Sequence, residues 1–201
     1  MTRSTNAGLA RGLFIAALLA FGAAPVALAD DMTPLPVPEV LEVPEGSRAF
    51  LVAHAFGTQN YVCLPRVSGP GLGWTFFGPQ ATLFGDESGQ LATHFLSANP
   101  AEGGTLRATW QHSRDSSSVW AQAIQSSSDP AFVAPGAVPW LLLRVTGAET
   151  GPTGGRRLTA TSYIQRVNTD GGIAPAGDCP AVGAKLFVPY TADYVLYRAR
   201  R

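Results

Sequence analysis

Charge is scarce in this chain of 201 residues: 14% of its side chains are Asp, Glu, Lys or Arg, with fourteen basic against fourteen acidic groups and Lys185 as the sole lysine. Without a dense basic run there is no electrostatic footprint for a nucleic-acid backbone. Cysteine stops at Cys63 and Cys179, and two distant thiols with no CxxC spacing make neither a zinc site nor a redox motif. Histidine stops at His54, His94 and His112. With no HxH or HExxH spacing and no calcium-type acidic loop, no metal is expected. A GxSxG elbow is missing, and Gly69-Pro70-Gly71-Leu72-Gly73 has the wrong spacing for a dinucleotide fingerprint and no helix after it, so no cofactor is expected. Beyond residue 30 no stretch holds a period of 3.6 over a dozen residues, which predicts little helix.

What is abundant is apolar and turn-forming: 46% hydrophobic residues, 22 Gly and 16 Pro, enough to bury a core and too apolar for a disordered chain. Part of that apolar share has another use. Arg3 and Arg11 precede an apolar run from Leu13 to Leu28 that ends in Ala27-Leu28-Ala29, the n-region, h-region and cleavage pattern of a signal peptide over residues 1–29. Pro25 and the small residues argue against a membrane anchor, no Cys follows the cleavage point for lipidation, and no Arg-Arg pair marks the twin-arginine route. The expectation is a periplasmic or secreted protein with no membrane span in the mature chain. Losing residues 1–29 would leave twelve basic against fourteen acidic side chains. In an oxidising compartment Cys63 and Cys179 are expected to pair, closing a loop worth on the order of 4 to 5 kcal/mol in the chain-entropy account.

Residues 30–46 contain Thr33-Pro34-Leu35-Pro36-Val37-Pro38, where alternate prolines forbid a helix and predict an extended leader. Residues 47–201 read as a single β domain, because short runs of β-branched and aromatic residues alternate with Gly, Pro, Asn, Asp and Ser. Strands are predicted near 48–55, 59–64, 74–77, 81–84, 90–96, 105–111, 117–124, 139–146, 159–167, 184–189 and 192–198. The fold class is all-β: an antiparallel β-sandwich or Greek-key barrel of about ten short strands. Val138 to Leu143 is apolar on both faces and suits a central strand. A membrane barrel would want longer strands, each with a lipid-facing apolar row.

Chemistry has few carriers. Trp74, Trp110, Trp120 and Trp140, with five tyrosines, could stack on ring-bearing ligands while neighbours supply hydrogen bonds. Tyr163 to Thr169 carries more polar capacity than a plain strand needs; alternation puts Tyr163, Gln165 and Val167 on one face and Ile164, Arg166 and Asn168 on the other. A partly buried Arg166 would call for a carboxylate, with Asp193 or Asp115 as the candidates.

Four ordered motifs carry a resemblance. They are Gly57-Thr58-Gln59-Asn60-Tyr61-Val62-Cys63; Val138 to Leu143; Tyr163 to Thr169 with Gly171-Gly172 and Ala174-Pro175; and Cys179 followed by Val188-Pro189-Tyr190-Thr191-Ala192-Asp193-Tyr194. Together they resemble the domain of unknown function family DUF3455, across roughly residues 44–198. The resemblance implies exported proteins of bacteria and fungi with no established activity; a malate dehydrogenase label on some fungal relatives finds no dinucleotide fingerprint here. The family's His–aromatic pair and its Thr-Trp are matched by His94-Phe95 and Thr109-Trp110, while Leu96 to Ala108 departs from its pattern. His94, Trp110, Asp115, Tyr163, Gln165 and Arg166 are the expected ligand-binding residues, for a small molecule or carbohydrate. Two other readings stand beside this one: a hydrolase or lyase with His94 and Asp115 as an acid/base pair, and a structural or adhesive envelope protein. Oligomeric state is not legible.

Overall fold

Eight strands follow one another with each hydrogen-bonded to its sequence neighbour: β1 (Ser47–Pro65), β2 (Leu72–Phe84), β3 (Gln90–Asn99), β4 (Thr105–His112), β5 (Ser118–Ser127), β6 (Trp140–Glu149), β7 (Tyr163–Gly171) and β8 (Lys185–Ala199). The computed structural model describes residues 1–2, 35–86 and 89–200; almost all of the expected signal peptide lies outside the described residues. β1 pairs with β8 from Ser47↔Ala199 to Val62↔Lys185, closing the antiparallel sheet into a barrel. The all-β expectation holds, while the sandwich and Greek-key connectivities give way to an up-and-down meander of eight strands instead of about ten. Turn-like residues in mid-strand account for the difference in count. Gly57-Thr58, Gly78 and Pro189-Tyr190 look like punctuation, yet each sits inside a continuous strand. Gly57 is required there because a Cβ would collide with the Gln80 carbonyl on β2. Gly78, at φ 145°, lies opposite Asn60, where the β1–β2 register shifts. Helix is confined, among the described residues, to single 3-10 turns at Glu39–Leu41 and Pro100–Glu102.

Period-two alternation sends one row of each strand inward. Leu51, Ala53 and Ala55 of β1 face Tyr190, Ala192, Tyr194 and Leu196 of β8 in a core completed by Ala81, Leu83, Trp110, Val119, Leu143 and Ile164. The β1 alanines leave room for the two β8 tyrosines. A second apolar cluster lies on the outer faces of β6, β7 and β8, where Trp140, Leu142, Val167, Val195 and Tyr197 pack under Leu41, Val133 and Ala137. This explains the two-faced hydrophobicity of Val138 to Leu143: Leu141 and Leu143 belong to the barrel core, while Trp140 and Leu142 are covered by the leader and the β5–β6 connection. Gln165 ties the leader down, donating Nε2–H to the Leu41 carbonyl at 2.7 Å and accepting from the Tyr197 hydroxyl at 2.6 Å. Cys63 and Cys179 form a disulfide, Cα–Cα 5.7 Å. It fastens the β7–β8 connection to the end of β1, helped by the amide of Gly183 donating to the Cys63 carbonyl.

Candidate ligand cavity

The hydrogen-bond ladder does not run the full length of every seam. β4 and β5 pair only from Ala108↔Ala121 to Gln111↔Ser118, although β4 begins at Thr105 and β5 continues to Ser127. β2 and β3 pair no farther than Ala81↔His94. Where these strands part, a cavity of about 320 Å³ enters the barrel. Its lip carries the exposed apolar side chains of Phe76 and Leu106; its walls include Leu96, Leu141 and Leu143; and its inner end is built by His94, Trp110, Tyr194 and Arg166.

Register brings those four together. His94 pairs with Trp110 across β3–β4, and Arg166 with Tyr194 across β7–β8, so each pair points to the same side of its sheet. His94 stacks on Trp110 at 4.2 Å between centroids and 15° between planes. Tyr194 meets both rings edgewise or tilted, at 5.4 Å from Trp110 and 5.1 Å from His94. His94 Nδ1–H donates to the Thr109 carbonyl at 2.9 Å, which leaves Nε2 as the lone-pair nitrogen. Burial pushes the imidazole down to about 3 against the upward pull of that carbonyl, so His94 is neutral at physiological pH. Burial likewise pushes the Tyr194 hydroxyl up.

Arg166 donates Nε–H and Nη2–H to one acceptor, the Pro139 carbonyl, at 3.2 and 2.7 Å. The expected carboxylate partner is not there. Among the described residues no Asp or Glu comes within ion-pair distance of Arg166. Asp193 lies on the outer face with Oδ1 2.6 Å from His54 Nδ1 and Oδ2 accepting from Asn168 at 2.8 Å. Alternation is the reason: Asp193 stands between the inward Ala192 and Tyr194 and so points away from them.

Of the six residues expected to bind ligand, His94, Trp110 and Arg166 share the cavity. Asp115 sits in the β4–β5 turn, at the barrel end opposite to the one toward which the cavity opens. There it acts as a structural hub, accepting from the Ser117 amide and hydroxyl at 3.0 and 2.7 Å and from the Arg157 amide at 2.8 Å. Burial raises its pKa, but the hydrogen bonds from Arg157 and Ser117 win and hold it at about 2. Gly151 and Gly155 press so closely on this turn that a Cβ on either would collide with it. His94 and Asp115 thus have separate partners, and the acid/base pair does not form. Tyr163 and Gln165 face outward into the cluster under the leader, as the alternation in Tyr163 to Val167 requires once Arg166 points inward. Tyr194, Leu96 and Leu143 line the cavity although none is among those six; the small-large alternation of Tyr190, Ala192 and Tyr194 is the signal that marks Tyr194 as inward.

Trp110 carries one further feature: its buried Nε1–H has no hydrogen-bond partner. Arg107, also on the lining, is neutralised by a two-point pairing with Glu102 at 2.8 Å on both contacts. No group of three or more His, Cys, Asp or Glu able to hold a metal occurs among the described residues, and no described helix is long and apolar enough to cross a membrane.

Comparison with curated proteins and with solved structures returned no match. The family model described as protein of unknown function (DUF3455) matches residues 44–198, from the end of the leader to the last residues of β8; the chain belongs to that family.

Proposed function

We propose that this barrel binds a small, largely apolar molecule in the cavity between β2, β3, β4 and β5. The observation that carries the reading is the cavity itself: about 320 Å³, entered where two seams part, with aliphatic walls and polar groups gathered at its inner end. That volume is at the small end of the roughly 300 to 1,000 Å³ typical of ligand sites, and the distribution of a few polar groups in an apolar lining is theirs too. A carbohydrate is less well served, since Leu96, Leu106, Leu141 and Leu143 offer its hydroxyls no partners.

Export belongs to the same reading. The n-region, h-region and Ala-x-Ala pattern of residues 1–29 support it, as does a disulfide that needs an oxidising compartment to persist. The outward rows of β2 to β4 carry Gln80, Thr82, Thr93, Ser97, Thr109 and Gln111 beside Phe84 and Phe95, a mixed surface in place of the continuous apolar outer band of a membrane barrel. A mature N-terminus at Asp30 in the exported fraction, read by mass spectrometry, is the expected result.

Cavity binding is tested with phenylnaphthylamine, a neutral fluorophore that brightens in apolar surroundings. Saturable brightening by the oxidised domain, abolished by filling the cavity with Ala108→Phe in a variant that keeps its β circular-dichroism spectrum, supports the reading. Brightening that survives in that variant, or none at all in the wild type, removes it.

A further inference from the structure

We infer that the cavity selects apolar monocarboxylates and that Arg166 is the residue that holds their carboxylate; this rests on the cavity-binding reading and adds the class of ligand.

The argument begins with charge. Arg166 is partly buried on the inner face of β7, opposite Leu141 and Tyr194. A guanidinium drawn partly out of water normally has an anionic partner, because lost hydration without a counter-charge is unfavourable. Here the described residues supply none. What they supply is the neutral Pro139 carbonyl, which takes Nε–H and one Nη2–H. Of five guanidinium N–H groups, that leaves the two on Nη1 and the second on Nη2, with the Tyr194 hydroxyl close by; one N–H from each Nη forms the outer edge of the fork. This edge matches the two oxygens of a carboxylate. Anchoring through Pro139 also fixes the plane of the fork before any ligand arrives, so little rotamer freedom remains to be lost.

The neighbouring groups leave the guanidinium as the charged donor at this end. Trp110 Nε1–H, though without a partner, is sealed even from water. His94, between Trp110 and Tyr194, has already spent its proton on Thr109. The inner end of the cavity therefore offers a cation among groups that bring it no counter-charge, and a ligand that fits it must bring acceptor oxygens.

Charge count narrows the class further. Arg107, the other cation on the lining, is matched by Glu102, and His94 is neutral, so one positive charge is left to balance. A monoanion satisfies it, whereas a phosphate dianion would leave charge over in a poorly solvated site. The aliphatic walls and the exposed Phe76 and Leu106 at the lip accommodate the apolar remainder.

The test is calorimetric titration of the oxidised domain with phenylpropanoate and octanoate, each beside its neutral alcohol, phenylpropanol and octanol. The acids should bind the wild type at least about ten-fold more tightly than the alcohols, the scale of one charge-assisted pair. Arg166→Met should bring each acid down to the level of its alcohol while leaving alcohol binding in place, and Arg166→Lys should keep part of the preference. Equal binding of acid and alcohol to the wild type overturns the carboxylate inference and leaves the cavity reading standing. Absence of binding by all four compounds, together with failure of the fluorophore test, overturns both. If Arg166→Met does not fold, the wild-type comparison of acid with alcohol decides alone.

Discussion

His94 lies flat against Trp110, 4.2 Å between ring centroids, with its one proton committed to the carbonyl of Thr109. A charged imidazole in that position would face a desolvated aromatic wall and the nearby guanidinium of Arg166. Both disfavour it, burial first.

A stability slope follows. The folded-state pKa of His94, about 3, lies below the unfolded value of 6.5, so the unfolded chain binds the proton more readily between those limits. The contribution of neutral His94 is fully present above pH 6.5 and declines as pH falls, by at most about 1.4 kcal/mol per unit. Urea unfolding at pH 7 and pH 5 should show the wild type losing stability over this window. His94→Asn, which can still donate to Thr109, should lose on the order of 2 kcal/mol less. Equal losses in both proteins would refute the assignment.

His54 should behave in the opposite sense. Its pKa is raised, first by the hydrogen bond to Asp193 and then by that to Asp86. The stabilisation is therefore present below pH 6.5 and lost as pH rises through the higher folded value. Because the imidazole is more than a third exposed, the energetic effect is small, and NMR titration is the better measurement. Asp193→Asn should move the His54 titration back toward 6.5, and Asp86→Asn should move it less.

Gln165 joins the leader to the barrel through Leu41 and Tyr197. Gln165→Leu leaves a buried carbonyl and a buried hydroxyl without partners, a loss of about 1 to 3 kcal/mol for each group so stranded. Tyr197→Phe removes one bond and should cost about 1 kcal/mol. Hydrogen exchange at Leu41 and Glu42, whose amides close the 3-10 turn, should quicken in Gln165→Leu. Unchanged exchange would mean that apolar packing alone seats the leader.

Replacing Cys63 and Cys179 by alanine opens a crosslink that spans 116 residues. A loss of about 2 to 5 kcal/mol is expected, with the earliest proteolytic cuts in the β7–β8 connection, where Cys179 lies. A midpoint within error of the wild type would show that the β1–β8 ladder holds this end unaided.

The chain determined a good deal by itself. Its lack of helical period and its wealth of turn residues made an all-β antiparallel fold legible, and alternation correctly divided Tyr163 to Val167 into two faces, failing only at Asn168, where a positive φ and a register shift turn the amide outward to Asp193. The even pair of cysteines announced the disulfide. Alternation, however, says which residues share a face and not which face is inside. Only closure of β1 on β8 made the Arg166 side the interior, and only the leader's return over β7 turned Gln165 from a candidate ligand contact into a clamp. Asp115 is the acid/base partner that the sequence offers for His94. The turn that holds it begins only past the His94–Trp110 pair, once β4 has finished at His112, and there Ser117 and Arg157 claim its carboxylate. The cavity depends on where ladders stop, at Ala108↔Ala121 and Ala81↔His94. That is a property of long-range pairing which no local pattern encodes.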